Sequence, residues 1–205
     1  MKYIFIAGAP GSKWSSVAKN IYYCPGIDNT DFDSSRTYAH NATGDQAVMH
    51  LGAYFDPGME FDLPVDLSTL SKVELERRFD EPFSGTGVRI IKSHIFSNNV
   101  DFIKHTWSEC PLVLVHRRDE NCLGWWVKCG HFNITYPDYS KYYVNLETMA
   151  ERISEQNAGI LAAWAKYDGI LVRDNVELAD ITNIGTPPAE YWQEYSKSDI
   201  GIKVI

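Results

Sequence analysis

Three short stretches of this chain carry residue types that can grip an anion or move a proton. The first is Gly8-Ala9-Pro10-Gly11-Ser12-Lys13-Trp14-Ser15-Ser16. Its glycines let the backbone turn tightly and approach a ligand, and Lys13 adds a full positive charge. If a helix follows, its N-terminus adds partial positive charge at the same place. Such a loop is a phosphate cradle in physical terms. It falls one residue short of the full Gly-x-x-x-x-Gly-Lys-Ser/Thr spacing. The second stretch is Lys92-Ser93-His94. A lysine stabilises charge on a transferring group, and a histidine accepts a proton near neutral pH. The third is His116-Arg117-Arg118-Asp119. An arginine fork grips phosphate at two points. One arginine is expected to pair with Asp119 or Glu120, and Arg117 to be the ligand.

The elements around these stretches are short apolar strands alternating with helices. Lys2 to Ala7, Val88 to Ile91 and Pro111 to Val115 read as buried strands, and Gly169 to Val172 as a last short strand. Helices are expected over Ser15 to Tyr23, from Ser68 or Ser71 through Arg78, over Val100 to Trp107, and over Asp119 to Cys129. Leu146 to Trp164 gives the clearest helix: Leu146, Met149, Ala150, Ile153, Asn157, Ile160, Leu161 and Trp164 follow three- and four-residue steps. A last helix is expected over Pro187 to Tyr195. This order predicts an α/β fold, a central parallel sheet flanked by helices on both faces. Ligands of such sheets bind beyond the carboxyl ends of the strands, where all three stretches fall. Residues 27–67 are rich in Asp, Gly, Asn and aromatics, with little periodicity. They read as an irregular excursion from one domain spanning 1–205.

Composition narrows the function classes. The 205 residues carry 19 Lys and Arg against 27 Asp and Glu, a net charge of -8. That balance argues against a broad nucleic-acid surface, while a local basic pocket for one phosphorylated small molecule stays open. No apolar run reaches the length of a membrane span. The N-terminal run reads as a strand rather than a leader, so Cys24, Cys110, Cys122 and Cys129 are expected as free thiols in a reducing cytoplasm. No Cys-x-x-Cys pair suggests zinc.

Taken in order, the three stretches resemble the P-loop sulfotransferases that use 3′-phosphoadenosine 5′-phosphosulfate (PAPS). Pro10-Gly11-Ser12-Lys13-Trp14-Ser15 stands where that family has Pro-Lys/Arg-Ser-Gly-Thr-Thr. Lys92-Ser93-His94-Ile95-Phe96 is similar to its Lys-Thr-His-Leu-Pro segment, and Arg117-Arg118-Asp119-Glu120-Asn121-Cys122 to its Arg-Asn-Pro-x-Asp-Val segment. The resemblance implies a three-layer sandwich like that of the P-loop nucleoside triphosphate hydrolases. It implies Gly8 to Ser16 on the 5′-phosphosulfate, Arg117 on the 3′-phosphate, and Trp14 on adenine or in packing. It further implies His94 as base toward an acceptor hydroxyl or amine, with Lys13 and Lys92 stabilising the leaving phosphate and no metal demanded.

Departures accompany the likeness. Ungapped from Pro10, Gly11 falls at the family's loop lysine and Lys13 at its glycine. Trp125 stands at the nucleotide-binding position where the family has a serine for the 3′-phosphate. The family's C-terminal Arg-Lys-Gly-x-x-Gly segment is missing, and residues 186–205 offer only Lys197 and Lys203. The acceptor, a small molecule or a glycan, is expected against two aromatic loops, His50 to Phe61 with Tyr54 and Phe55, and Phe132 to Tyr143. A small-molecule or nucleotide kinase with a compressed loop is the rival reading, and a non-catalytic nucleotide binder the third. A kinase would need magnesium and an acidic strand end, for which Asp119 and Asp174 are the candidates.

Overall fold

In the computed structural model, which describes residues 1–49, 51–55, 66–134 and 139–205, a six-stranded sheet forms the centre. Its strands are β1 (Tyr3–Gly8), β4 (Ala53–Tyr54), β5 (Arg89–Ser93), β6 (Leu112–His116), β7 (Ile170–Leu171) and β8 (Gly201–Val204). Two further strands, β2 (Thr37–His40) and β3 (Asp45–Met49), form a separate antiparallel pair. The spatial order of the sheet is β4-β5-β1-β6-β8-β7. β4, β5, β1 and β6 run parallel. β8 runs antiparallel to both β6 and β7, so the expected parallel sheet is mixed.

Alternation along β1 sends side chains to two cores, as strand geometry requires. Tyr3, Phe5 and Ala7 face one layer of helices: α2 (Lys72–Asp80), α3 (Val100–Thr106) and α6 (Leu146–Lys166), which contribute Leu75, Phe79, Ile103 and Ile160. Ile4 and Ile6 face the other layer, α1 (Trp14–Tyr22) and α7 (Asn175–Ile181), with Val17, Ala18, Ile21 and Leu178. A third cluster joins α4 (Asp119–Cys129), α5 (Ser140–Tyr143) and the start of α6 through Cys122, Trp126, Tyr143, Met149 and Ile153. Burial on both sides explains why β1 and β6 are continuous apolar runs.

Helix ends follow side-chain chemistry. Ser71 caps α2, its hydroxyl accepting from the Glu74 N–H at 3.2 Å. Asn145 caps α6 in the same way, accepting from the Thr148 N–H at 2.9 Å. Asp174 caps α7 by accepting from the Glu177 N–H at 2.9 Å.

Two expectations need correction. Residues 27–67 hold more order than an irregular excursion: the β2–β3 pair and β4 lie within them. The expected helix over Pro187 to Tyr195 is replaced by two single 3-10 turns, Ala189–Tyr191 and Tyr195–Ser198. Asn175 competes with helical bonding there. Its side chain accepts from the Gln193 N–H at 2.7 Å and donates to the Tyr191 carbonyl at 3.0 Å. The chain is thereby held extended on the way to β8.

Candidate functional site

The carboxyl ends of β1, β5 and β6 lie side by side, with Ala7 opposite Ser93 and Gly8 opposite Val115. That register brings the three stretches together. The loop after β1 is a tight turn closed by the Ser12 N–H donating to the Ala9 carbonyl at 3.0 Å. Gly11 has φ 78°, and a Cβ there would stand 2.0 Å from the Cys122 carbonyl oxygen. Glycine is therefore required both by conformation and by the approach of α4. Ser12 is wholly buried, and its Oγ has no hydrogen-bond partner among the described residues. Lys13 adopts a left-handed conformation (φ 65°) as the N-cap of α1.

His94 lies beneath this loop with no exposed surface. Its Nδ1 donates to the Gly8 carbonyl at 2.5 Å, which leaves Nε2 as the acceptor for the Tyr54 hydroxyl. The Trp14 indole stacks on the imidazole, with centroids 4.1 Å apart. Burial first, and the Lys92 ammonium second, hold the imidazole pKa down at about 3, so the ring is neutral at physiological pH. Lys92 is also fully buried, with its Nζ 5.9 Å from the Trp14 ring and 5.7 Å from the Tyr54 ring. It also acts on Asp31, a buried carboxylate that accepts from the Tyr22 hydroxyl at 2.7 Å and pairs with buried Arg36 at 3.8 Å. Burial raises the Asp31 carboxyl above its ordinary range, against the lowering pull of Tyr22, Arg36 and Lys92.

The outer side of the loop is cationic. Arg117 donates from Nη1 to the Gly11 carbonyl at 3.0 Å, and from Nε to both Asp199 carboxylate oxygens at 3.0 Å. Lys13 reaches the same carboxylate at 3.8 Å, and Asn121 donates to it at 2.8 Å. Trp125 flanks both cations, 5.0 Å from the Lys13 ammonium and 6.0 Å from the Arg117 guanidinium. Arg118 takes the other expected role and pairs with Glu120. Asn157 on α6 fixes this corner by donating to the Arg117 carbonyl at 2.8 Å and to Asp119 at 2.6 Å.

Comparison with protein-family models, curated proteins and solved structures finds no significant match.

The candidate residues thus form two groups. Lys92, His94, Trp14 and Tyr54 make a sealed inner group. Lys13, Arg117 and Trp125 make an outer one at the loop. Trp14, expected on adenine or in packing, packs. The Lys13 and Arg117 side chains, expected on separate phosphates, converge on one carboxylate. Phe55 is buried among Phe79 and Phe96 on the opposite face of the sheet from Tyr54, because successive strand residues alternate. His50 and Phe61 lie outside the described residues. Lys197 and Lys203 take no part: Lys197 pairs with Glu194 at 2.7 Å, and Lys203 donates to the Trp164 and Tyr167 carbonyls.

Sequence reasoning missed Asp199, Asn121, Asp31 and Arg36. Asp199 reaches the site only through the pairing of β8 with β6, which leaves no local signal, whereas Asn121 stands one helical turn after Arg117 and had no visible partner until Asp199 was placed. A further pair, Cys129 Sγ against His40 Nε2 at 2.9 Å, joins the end of α4 to β2. Burial pushes the Cys129 thiol up to about 12, which marks it as inert.

Proposed function

We propose that this chain binds a phosphorylated adenosine, PAPS by its resemblance, at the loop between β1 and α1, and transfers the sulfuryl group to a hydroxyl or amine acceptor. The observation that carries the reading is the convergence of Lys13 and Arg117 beside Gly11, two cations gathered on one anionic group at the carboxyl ends of parallel strands. The residues fit a phosphate or sulfate group. Both cations are side-chain donors, Asn121 adds a neutral one, and the Trp125 ring flanks them.

In this reading PAPS supplies the activated sulfuryl group. Lys13 and Arg117 bind and orient its charged end, and the α1 N-terminus adds partial positive charge there. Neutral His94 holds its Nδ1 proton on Gly8 and presents Nε2 to Tyr54. For transfer, the Trp14 ring would have to move aside so that an acceptor reaches the Tyr54 hydroxyl and passes its proton through it to Nε2, with Lys92 offsetting the charge on the leaving phosphate. A P-loop sandwich accommodates these roles with no metal ligand.

One observation favours a second reading. His94 and Tyr54 are wholly buried and Trp14 covers the imidazole, an arrangement suited to a nucleotide-binding protein that performs no transfer. Thermal-shift titration of adenosine 3′,5′-bisphosphate and of ATP, each with and without magnesium, separates the alternatives. Magnesium-independent stabilisation by the bisphosphate supports the sulfotransferase-type site. Magnesium-dependent stabilisation by ATP alone supports a kinase. His94→Ala should then abolish transfer to an identified acceptor while bisphosphate affinity stays near that of the unaltered protein. Unchanged turnover removes His94 from the mechanism, and binding with no turnover across a broad acceptor panel selects the second reading.

A further inference from the structure

Asp199 is a polar group held by three side chains from two other segments, none of which is its neighbour in sequence. Arg117 meets both carboxylate oxygens from Nε, Asn121 donates to Oδ2, and Lys13 lies within ion-pair distance of Oδ1. Two cations and one amide converging on two oxygens are a donor set suited to a tetrahedral oxyanion. Arg117 meets the carboxylate through Nε alone, its Nη1 being held by the Gly11 carbonyl, so Lys13 and Asn121 complete the donor set around the two oxygens. The Asp199 backbone is left-handed (φ 54°), a conformation that aspartate and asparagine tolerate. Its side chain is 43% exposed, so it can swing out to water. Lys13, on the opposite side of the contact, is left-handed as well.

We infer that Arg117, Asn121 and Lys13 form a single seat for a phosphate or sulfate group, and that Asp199 occupies this seat as an internal competitor. The inference rests on the nucleotide reading above and deepens it by giving that site an internal regulator. A ligand's oxyanion displaces the carboxylate, and the 3-10 turn at Tyr195–Ser198 moves with it. The acid thus sets a threshold: weakly held anions such as free sulfate are excluded, and a ligand with further contacts to the loop enters.

The test measures binding of inorganic sulfate and of adenosine 3′,5′-bisphosphate at constant ionic strength. The proteins are the unaltered chain, Asp199→Asn, and Glu120→Gln, whose removed charge lies on Arg118 outside the seat. Asparagine tolerates the left-handed backbone, and Asp199→Gly serves if the first variant fails to fold. Asp199→Asn should tighten sulfate binding about fivefold or more, a coupling ordinary for competing ligands, while Glu120→Gln leaves it unchanged. Adding Arg117→Gln to Asp199→Asn should erase the gain. Equal effects of Asp199→Asn and Glu120→Gln would reduce the result to net charge and overturn the inference, as would sulfate binding to none of the proteins. The two readings fail separately. Tighter sulfate with no nucleotide binding keeps the seat and removes the nucleotide, whereas nucleotide binding indifferent to Asp199 keeps the nucleotide and removes the competitor.

Discussion

The indole of Trp14 lies over the imidazole of His94 at a centroid separation of 4.1 Å and an interplanar angle of 30°. Trp14 opens α1 and His94 follows β5, so the stack joins the loop to the strand beside it. It also decides what reaches the imidazole. Trp14→Ala should cost about 3–5 kcal/mol, as for other buried large-to-small changes, and should expose His94. Diethylpyrocarbonate modification followed by peptide mapping checks this: His94 should be protected in the unaltered protein and modified in the variant. Equal modification in both would show that the stack does not guard the ring.

The neutral state of His94 ties stability to pH. The unfolded chain takes up a proton below roughly pH 6.5, whereas the folded imidazole, held down at about 3, does not. The stability it contributes is complete above the unfolded value and is lost as pH falls toward the folded one, by about 1.4 kcal/mol per pH unit. Urea denaturation of the unaltered protein and of His94→Gln measures the difference. The advantage of the unaltered protein should shrink between about pH 6 and pH 4. A difference independent of pH would mean that His94 titrates like an exposed histidine.

Gly11 is a point of no tolerance. A methyl there meets the Cys122 carbonyl and demands a left-handed alanine. Gly11→Ala should destabilise by at least ~1 kcal/mol from the backbone alone, with the clash added, and should weaken anion binding by shifting the carbonyl that Arg117 holds. Chemical denaturation and sulfate titration read the two effects.

The Asp31–Arg36 pair is buried on both sides, and the Arg36 guanidinium also donates to the Asp31 carbonyl at 2.9 Å and the Gly52 carbonyl at 3.2 Å. Arg36→Ala strands a buried carboxylate and should cost about 3–5 kcal/mol. Tyr22→Phe removes the hydroxyl that meets Asp31 Oδ1 at 2.7 Å and the Asn29 carbonyl at 2.8 Å, and should cost about 1.5–3 kcal/mol. Equal midpoints for Arg36→Ala and the unaltered protein would mean that water already reaches Asp31.

All four cysteines are free and buried. Burial lifts the Cys24 thiol to about 11 and the Cys122 and Cys129 thiols to about 12. Ellman's reagent should therefore label the native protein slowly and the urea-unfolded chain at all four positions. Fast stoichiometric labelling of one native thiol would mark it as reactive.

Much of the sheet was legible because β1 and β6 are buried on both faces and read as continuous apolar runs, and β5 carries the apolar pair Ile90-Ile91. The Ser71 cap of α2 was legible for equally local reasons, and so was the α6 stripe in part: Met149, Ile153, Asn157 and Ile160 are buried, whereas Leu146 and Leu161 are half exposed. The carboxyl-end rule gathered the residues from 8 to 16, 92 to 94 and 116 to 118 before any coordinates. Most of what escaped was non-local, with α7 as the exception. α7 carried a signal in Asp174 and Glu177, the same three-residue spacing that marks the start of α2. β8 is too short for its alternation to stand out from a loop. Its antiparallel register sets Gly201 opposite His116, which carries the preceding Asp199 onto the residue after His116. No window of sequence around Asp199 contains Arg117, so the partner of the main cation was invisible until the strand was placed. The sealing of His94 escaped for the same reason, since nothing in Lys92-Ser93-His94 says that a tryptophan from another element will lie over it.

The position of β8 between β6 and β7 has a consequence for assembly. β7 precedes β8 in the chain yet touches the sheet only through it, by Ile170 opposite Val204 and Leu171 opposite Lys203. The pairing predicts that β8 docks on β6 before β7 is protected. Pulse-labelled amide exchange during refolding should show the Ile205 N–H, which bonds to Leu112 in β6, protected before the Val172 N–H, which bonds to Ile202. The strand that bridges β6 and β7 also follows Asp199 in the chain, so the carboxylate meets Arg117, Lys13 and Asn121 only once β8 is in place.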